Sequence, residues 1–356
     1  MAKEGKIPGQ EAPIDHLLIR ATNWVGDAVM SLPALRAVRE RWPQTRISLL
    51  ARPWVADLYA REHIVDRILP YTAKPGRGDW GAKWAIAQQV KALGCDTALL
   101  LTNSFESAAV ARLAGIPRRI GYARDGRGWL LTDAIPRPAP GSIPRFEAFY
   151  YLNLLRRIGW LDQLPADVTI RLDGNAEAAA AGAPRLHALG LEGAVIGVSP
   201  GAAYGTAKRY IPERFAEAAV TIAKQIGGQV ALFGSGSERE LCDHVASLIA
   251  GQGIRTHNAA GQTSLGEFIE MAAACRLFLT NDSGAMHIAS ALGVPTVTVF
   301  GPTDETATGP TGDRARVIRE PVACQRCMKR ECPTDHACMT RVPASRVAQT
   351  ALDLLK

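Results

Sequence analysis

No stretch of this 356-residue chain stays apolar for the roughly 18 residues that a membrane-spanning helix requires. A secretory hydrophobic region is lacking as well: Met1 to Gln10 are polar and include Lys3, Glu4, Lys6 and Pro8. The expectation is a cytoplasmic protein. Its seven cysteines are an odd number, and without a signal segment they point to reduced thiols rather than a disulfide framework. No sequence repeat of fixed period runs through the chain. What remains is 47% hydrophobic and 21% charged, the composition of a globular protein, with length enough for two domains that each bury a core.

Acidic residues are scarce in one half. Residues 1–170 hold 23 Lys and Arg against 16 Asp and Glu, whereas residues 171–356 hold 18 of each, so the whole net charge of +7 lies in the first half. Within it, Arg112, Arg118, Arg119, Arg124, Arg127, Arg137 and Arg145 face only Asp125 and Asp133 between residues 112 and 145. Such a segment attracts an anionic partner or forms a solvated basic loop. No recognised nucleic-acid-binding motif accompanies it, so nucleic acid is not expected.

Short apolar strands alternate with helical patterns. His16–Arg20, Arg46–Ala51 and Thr97–Thr102 read as strands in the first half, with a helix from about Asp27 to Arg41. The rhythm restarts with Val195–Ser199, Gln229–Phe233, Leu277–Thr280 and Thr296–Phe300, and helices fit over Pro212–Ile226 and Ser264–Ala274. This alternation predicts an α/β chain with parallel sheets covered on both faces, in two Rossmann-like domains. We place the domains at 1–172 and 173–342, with 343–356 a terminal helix that returns to the first domain.

In such folds ligands sit beyond the carboxyl ends of the strands, so the residues after each strand carry the chemistry. After the first comes Asn23-Trp24-Val25-Gly26-Asp27, where Asp27 caps a helix or serves as a functional carboxylate. A helix N-terminus favours its ionised form. After VIGVS, the small-residue turn Ser199–Arg209 exposes backbone N–H groups, and its Thr206 and Lys208 can reach an anion. Walker-loop spacing is absent there. Gly234-Ser235-Gly236 follows QVALF, but Arg239 stands where a dinucleotide fingerprint has its third glycine, which discounts an NAD site and leaves a nucleoside contact. The fourth turn is the most specific: Asp282-Ser283-Gly284-Ala285-Met286-His287 opens a small-residue helix whose N–H groups suit a diphosphate. His287 there can donate to a phosphate oxygen. No Gly-x-Ser-x-Gly elbow surrounds Ser283, which disfavours a nucleophilic triad.

At these turns the chain resembles the family 9 glycosyltransferases, the ADP-heptose:lipopolysaccharide heptosyltransferases. The likeness runs from IRATNWVGDAVMSLPALRAVR through SPGAAYGTAKRYIPERF, FGSGSERE and AGQTSLGEF to TNDSGAMHIASALGVPTVTVFGPTD. NWVGD and the Cys-rich tail are more similar to the second-heptose branch than to the first. The resemblance implies a GT-B fold, two Rossmann-like domains facing a central cleft, and an inverting transfer that needs no metal or other cofactor for catalysis. It implies ADP-heptose as donor and a phosphorylated Kdo/heptose lipid A acceptor at the cytoplasmic face of the inner membrane. Carried over, Asp27 matches the general base, and Thr206 and Lys208 match diphosphate contacts. Asp282, Ser283, Gly284, Ala285 and Met286 match the sugar and phosphate cradle, and His287 a phosphate donor. Gly234 and Ser235 fall near the nucleoside, with Glu238 toward the ribose. Arg118, Arg119, Arg124 and Arg127 become the candidates for acceptor or membrane-surface contact. A different acceptor position, a different nucleotide sugar, or a nucleotide-sugar-binding protein without catalysis are the alternatives. Retention of Asp27, Lys208 and His287 together argues against the last.

Cys324, Cys327, Cys332 and Cys338 lie within 15 residues. The first pair has zinc-ligand spacing, and three readings stand: a structural zinc, free packed thiols, or disulfides.

Overall fold

A computed structural model describes residues 13–76 and 78–356; the polar stretch Met1–Gln10 lies outside them. The first half runs β1 (His16–Arg20), α1 (Val25–Arg41), β2 (Arg46–Ala51), α2 (Pro53–Ala60), β3 (Arg67–Pro70), α3 (Trp80–Lys91), β4 (Thr97–Leu100), α4 (Phe105–Leu113), β5 (Arg118–Tyr122), β6 (Asp133–Ile135) and α5 (Ala148–Arg157). The second runs α6 (Asn175–Ala188), β7 (Val195–Ser199), α7 (Pro212–Ile226), β8 (Gln229–Leu232), α8 (Arg239–Ala250), β9 (Thr256–Asn258), α9 (Leu265–Ala273), β10 (Leu277–Asn281), α10 (Gly284–Ala291), β11 (Thr296–Phe300), α11 (Glu305–Thr308), β12 (Ala315–Arg319), α12 (Ala337–Thr340) and α13 (Ala344–Asp353).

Each half builds a six-stranded parallel sheet, ordered β3-β2-β1-β4-β5-β6 and β12-β11-β10-β7-β8-β9. Both have the doubly wound order that reverses beside the first strand of the unit, between β1 and β4 and between β7 and β10. The expected α/β class with two Rossmann-like domains is therefore met twice over. Central strands are fully buried, as β1, β7, β10 and β11 show, because helices cover both faces. Local chemistry sets the helix ends: Pro212 opens α7 and Gly227, with φ 64°, closes it. Ser264 and Glu267 form a capping box at α9.

The compact units differ from the sequence boundaries in two ways. The first comprises the described residues up to Asn23 with Ser31–Val168; the second comprises Trp24–Met30 with Thr169–Lys356. The start of α1 thus belongs with the second core. The terminal helix, expected to return to the first domain, instead packs in the second: Val347, Ala348 and Ala351 of α13 share a core cluster with Ile222 of α7 and Val299 of β11. The physical reason is its strong amphipathicity, with one apolar face that finds the nearest uncovered side of its own sheet.

Candidate active site

The switch point of the second sheet lies between β7 and β10, and the turns that follow these two strands hold most of the charged groups predicted from the sequence. Lys208 ends a short 3₁₀ turn, Thr206–Lys208, and its ammonium lies 2.6 Å from Asp282. Asp282 is buried and also accepts a 2.5 Å hydrogen bond from the Thr303 hydroxyl. Lys208 and Thr303 both meet Oδ2 of that carboxylate, so Asp282 positions the cation. Lys208 also sits 4.8 Å from the Tyr204 ring centroid, so its ammonium is held from two sides.

Asn281 fastens the two turns together. Buried at the end of β10, it accepts from the Tyr210 N–H and donates to the carbonyls of Pro200 and Gly201. Both N–H groups and the oxygen of that amide are engaged with the segment that carries Lys208. Sequence reasoning passed over Asn281, Thr303 and Tyr204. The signal for Asn281 was a polar residue closing an otherwise apolar strand.

Ser283 is the N-cap position of α10, in extended conformation, and its hydroxyl lies 3.2 Å from that of Thr280. Gly284 and Ala285 are half-buried in the first turn of that helix, where N–H groups have no intrahelical partner. Met286 is fully buried, so only its backbone is available to a ligand. His287 is buried too, and burial, helped by the nearby Lys208 charge and opposed by Asp282, pushes its pKa down to about 4. The imidazole is neutral at pH 7 and can donate one hydrogen bond without bringing a charge.

Asp27 is the third residue of α1, since the helix begins at Val25, two residues earlier than the pattern suggested. In the second unit the start of α1 meets the start of α10. A Cβ on Gly26 would lie 2.9 Å from His287 Cδ2, and one on Gly284 would lie 2.8 Å from the Val25 Cβ. Only glycine permits either approach. A Gly26→Ala variant is expected to lose about 1–3 kcal/mol of stability through this overpacking. Thermal unfolding at unchanged midpoint would show that the contact has slack.

The electrostatics of Asp27 differ from the sequence expectation. Burial raises its pKa from 3.8 to about 6, and the attraction of Lys208 offsets only part of that. Desolvation therefore outweighs the helix N-terminus, which was expected to favour the ionised form.

Glu238 completes a capping box with Ser235, accepting from the Ser235 N–H and hydroxyl, both at 2.8 Å. Its other oxygen lies against Gly201, so the turn after β8 touches the turn after β7. Gly234 packs beside Cys242 and Glu238. Thr206 is exposed.

Three of the four arginines assigned to an acceptor have other work. Arg118 and Arg119 start β5, at the amino edge of the first sheet. Arg118 lies 3.4 Å from Asp133, and Arg119 donates to the carbonyls of Leu130, Ile116 and Pro117. Arg127 is fully buried, donating to the Tyr122 and Thr102 carbonyls and, at 2.9 Å, to the Ser107 hydroxyl. An Arg-rich stretch supplies caps for carbonyls that the irregular loops around β5 and β6 leave unpaired. Arg124, paired with Asp125 at 3.3 Å, is exposed at the carboxyl edge.

None of the four clustered cysteines is paired in a disulfide: Cys324 and Cys327 are exposed, Cys332 half-buried, Cys338 buried. Among the described residues no three His, Cys, Asp or Glu side chains stand in a metal-holding group, although Cys324, Cys327 and Cys332 all lie near enough to act on Cys338. Burial, with the neighbouring thiols adding to it, pushes Cys338 up to about 11. The segment braces the Lys208 turn. The Ala207 N–H donates to the Arg330 carbonyl, His336 Nε2 donates to the Ala207 carbonyl, and the Tyr204 hydroxyl donates to the Met328 carbonyl.

Residues 83–338 match the model of glycosyltransferase family 9 (heptosyltransferase). The chain belongs to that family. This family 9 chain is 34% identical over 310 residues to lipopolysaccharide heptosyltransferase 2 of Escherichia coli K12, covering 85% of this chain and 87% of that one. It is 30% identical over 309 residues to lipooligosaccharide heptosyltransferase 2 of Haemophilus influenzae, covering 85% and 88%. Among solved structures it is similar to E. coli ADP-heptose LPS heptosyltransferase II, with a TM-score of 0.80 at 29% identity over 96% of this chain and 98% of that one. The protein is thus a glycosyltransferase of the GT-B fold class.

Proposed function

We propose that this chain transfers a heptose, L-glycero-D-manno-heptose, from ADP-heptose to a heptose/Kdo-bearing inner-core acceptor of lipopolysaccharide, with inversion at the anomeric carbon. One observation carries the reading: Asp27 belongs to the same compact unit as Lys208 and His287, and the charge of Lys208 acts on its carboxylate. A base and a set of groups suited to a departing diphosphate are thereby gathered in one place.

The acceptor hydroxyl gives its proton to Asp27 as its oxygen attacks the anomeric carbon. The bond from that carbon to the diphosphate breaks, and its electron pair leaves with ADP. Lys208, the neutral His287 N–H and the N–H groups opening α10 stabilise the charge that develops on the leaving group. These are resident groups of the chain, so the reading assigns no catalytic metal. Asp282 keeps the Lys208 ammonium in place between turnovers. Adenosine lies along Gly234, Ser235 and Glu238. The acceptor is a glycolipid, and no helix among the described residues is long and apolar enough to cross a membrane, which fits a peripheral approach to the cytoplasmic membrane surface.

A transfer assay offering ADP-heptose, UDP-sugars and GDP-sugars to a defined, truncated core acceptor tests the reading. Transfer from ADP-heptose alone is expected. Preference for another nucleotide sugar would replace the donor while leaving the site geometry as described.

A further inference from the structure

With Arg118, Arg119 and Arg127 engaged within the fold, Arg124 is the one of these four arginines left as an exposed acceptor candidate in the first unit. Its carboxyl edge has a feature absent from the charge pattern. Four successive strands each lead into an exposed aromatic residue: Trp54 after β2, Trp80 after β3, Phe105 after β4 and Trp129 after β5. They are 56%, 42%, 38% and 69% exposed, respectively, where large apolar rings are ordinarily covered. None is a stray side chain. Trp54 is anchored by a 2.8 Å hydrogen bond from its indole N–H to the Asn23 carbonyl, in the turn that leads to Asp27. Trp80 lies over the Lys83 ammonium, and the Phe105 and Trp129 rings are 6.1 Å apart.

Beneath this rim the polar side chains are already engaged: Arg52, 3% exposed, donates to the Tyr71 and Ala73 carbonyls, pairs with Glu106 and supports the Trp54 ring from below. What the rim offers a ligand is therefore ring faces, with the exposed Arg124 at the same edge. A pyranose that carries negative charge fits such a surface, because it offers C–H faces to an aromatic ring and hydroxyls or carboxylates around its edge.

We propose that Trp54, Trp80, Phe105 and Trp129 form a stacking platform for the saccharide part of an anionic glycan acceptor, with Arg124 beside it for the acceptor's charge. The inference rests on the transferase reading above and assigns the acceptor side to residues that reading does not name. Binding comes from rings that cover sugar faces, and the net positive charge of the first half adds attraction over a longer range.

The test uses the full chain, lipid-free core oligosaccharide as soluble acceptor, and ADP. Trp54→Ala and Trp129→Ala are expected to raise the KM for the soluble acceptor about 5- to 50-fold, the scale of stacking losses on alanine truncation. The Kd for ADP and the melting temperature should stay at wild-type values, and Trp54→Phe should recover most of the loss. Unchanged KM on soluble acceptor, with loss only when the acceptor sits in phosphatidylglycerol vesicles, would overturn the platform in favour of a bilayer contact. Parallel loss of ADP affinity and thermal stability in both alanine and phenylalanine variants would overturn it in favour of a structural role. If the wild-type chain transfers no heptose, the transferase reading fails by itself. The platform is then read by quenching of tryptophan fluorescence on titration with the same oligosaccharide, and absence of quenching overturns it.

Discussion

Asp27→Asn is expected to abolish transfer, by about 100-fold or more as for loss of a general base, while ADP still binds with wild-type affinity. The amide keeps the size and much of the polarity of the carboxyl but cannot accept a proton. The wild-type enzyme should show the complementary pH dependence. With its pKa raised to about 6, Asp27 is protonated below that value, so turnover falls as pH drops through 6 and levels off above it. The same shift has a sign for stability. Because the folded state holds this proton more tightly than the unfolded chain does, stability declines as pH rises from about 3.8 to 6. At neutral pH the ionised, half-buried carboxylate therefore costs folding free energy, on the order of 1–2 kcal/mol after allowing for solvent. Asp27→Asn should consequently melt no lower than wild type while being inactive. Near-normal turnover in that variant would remove Asp27 from the mechanism, and an activity limb far from pH 6 would assign the titrating group elsewhere.

Lys208→Ala is expected to weaken ADP binding about 10- to 100-fold, equivalent to about 1.4–2.8 kcal/mol. Two effects contribute. The diphosphate loses a cation held at 2.6 Å by Asp282, and Asp282 is left buried with the Thr303 hydroxyl as its remaining neighbour of the pair described. A buried carboxylate without its counterion is itself unfavourable, so the variant should also melt earlier. Asp282→Asn separates the two: it keeps the cation and should bind ADP more nearly as wild type does, while losing the restraint that positions Lys208. Calorimetry showing the same ADP affinity in Lys208→Ala and wild type would refute the assignment. Binding that fails only because the protein has unfolded would be exposed by the melting curve.

Both predictions depend on residues visible in the sequence, but not on roles visible there. The turns after β1, β7, β8 and β10 were legible because each follows an apolar run covered on both faces and breaks it with glycine, serine and charge. Strand β5 and the four edge strands β3, β6, β9 and β12 were not. Edge strands face solvent on one side, carry residues such as Arg67, Asp133, His257 and Arg316, and give no continuous apolar signal. Legibility thus tracked burial, which is greatest at the centre of each sheet.

What the sequence determined by itself was the set of chemical groups and their place at strand ends, since both follow from local patterning. Tertiary structure decided what each group faces. It put Asp282 on Lys208, closed Arg127 under backbone carbonyls, and sent α13 to the second core. It also raised the Asp27 pKa by burial that no local pattern encodes, and it brought Trp54, Trp80, Phe105 and Trp129 to one edge from positions spread over 75 residues of chain. The reason is the same in every case. Desolvation and pairing depend on neighbours distant in the chain, and parallel strands bring together residues that the chain itself keeps apart.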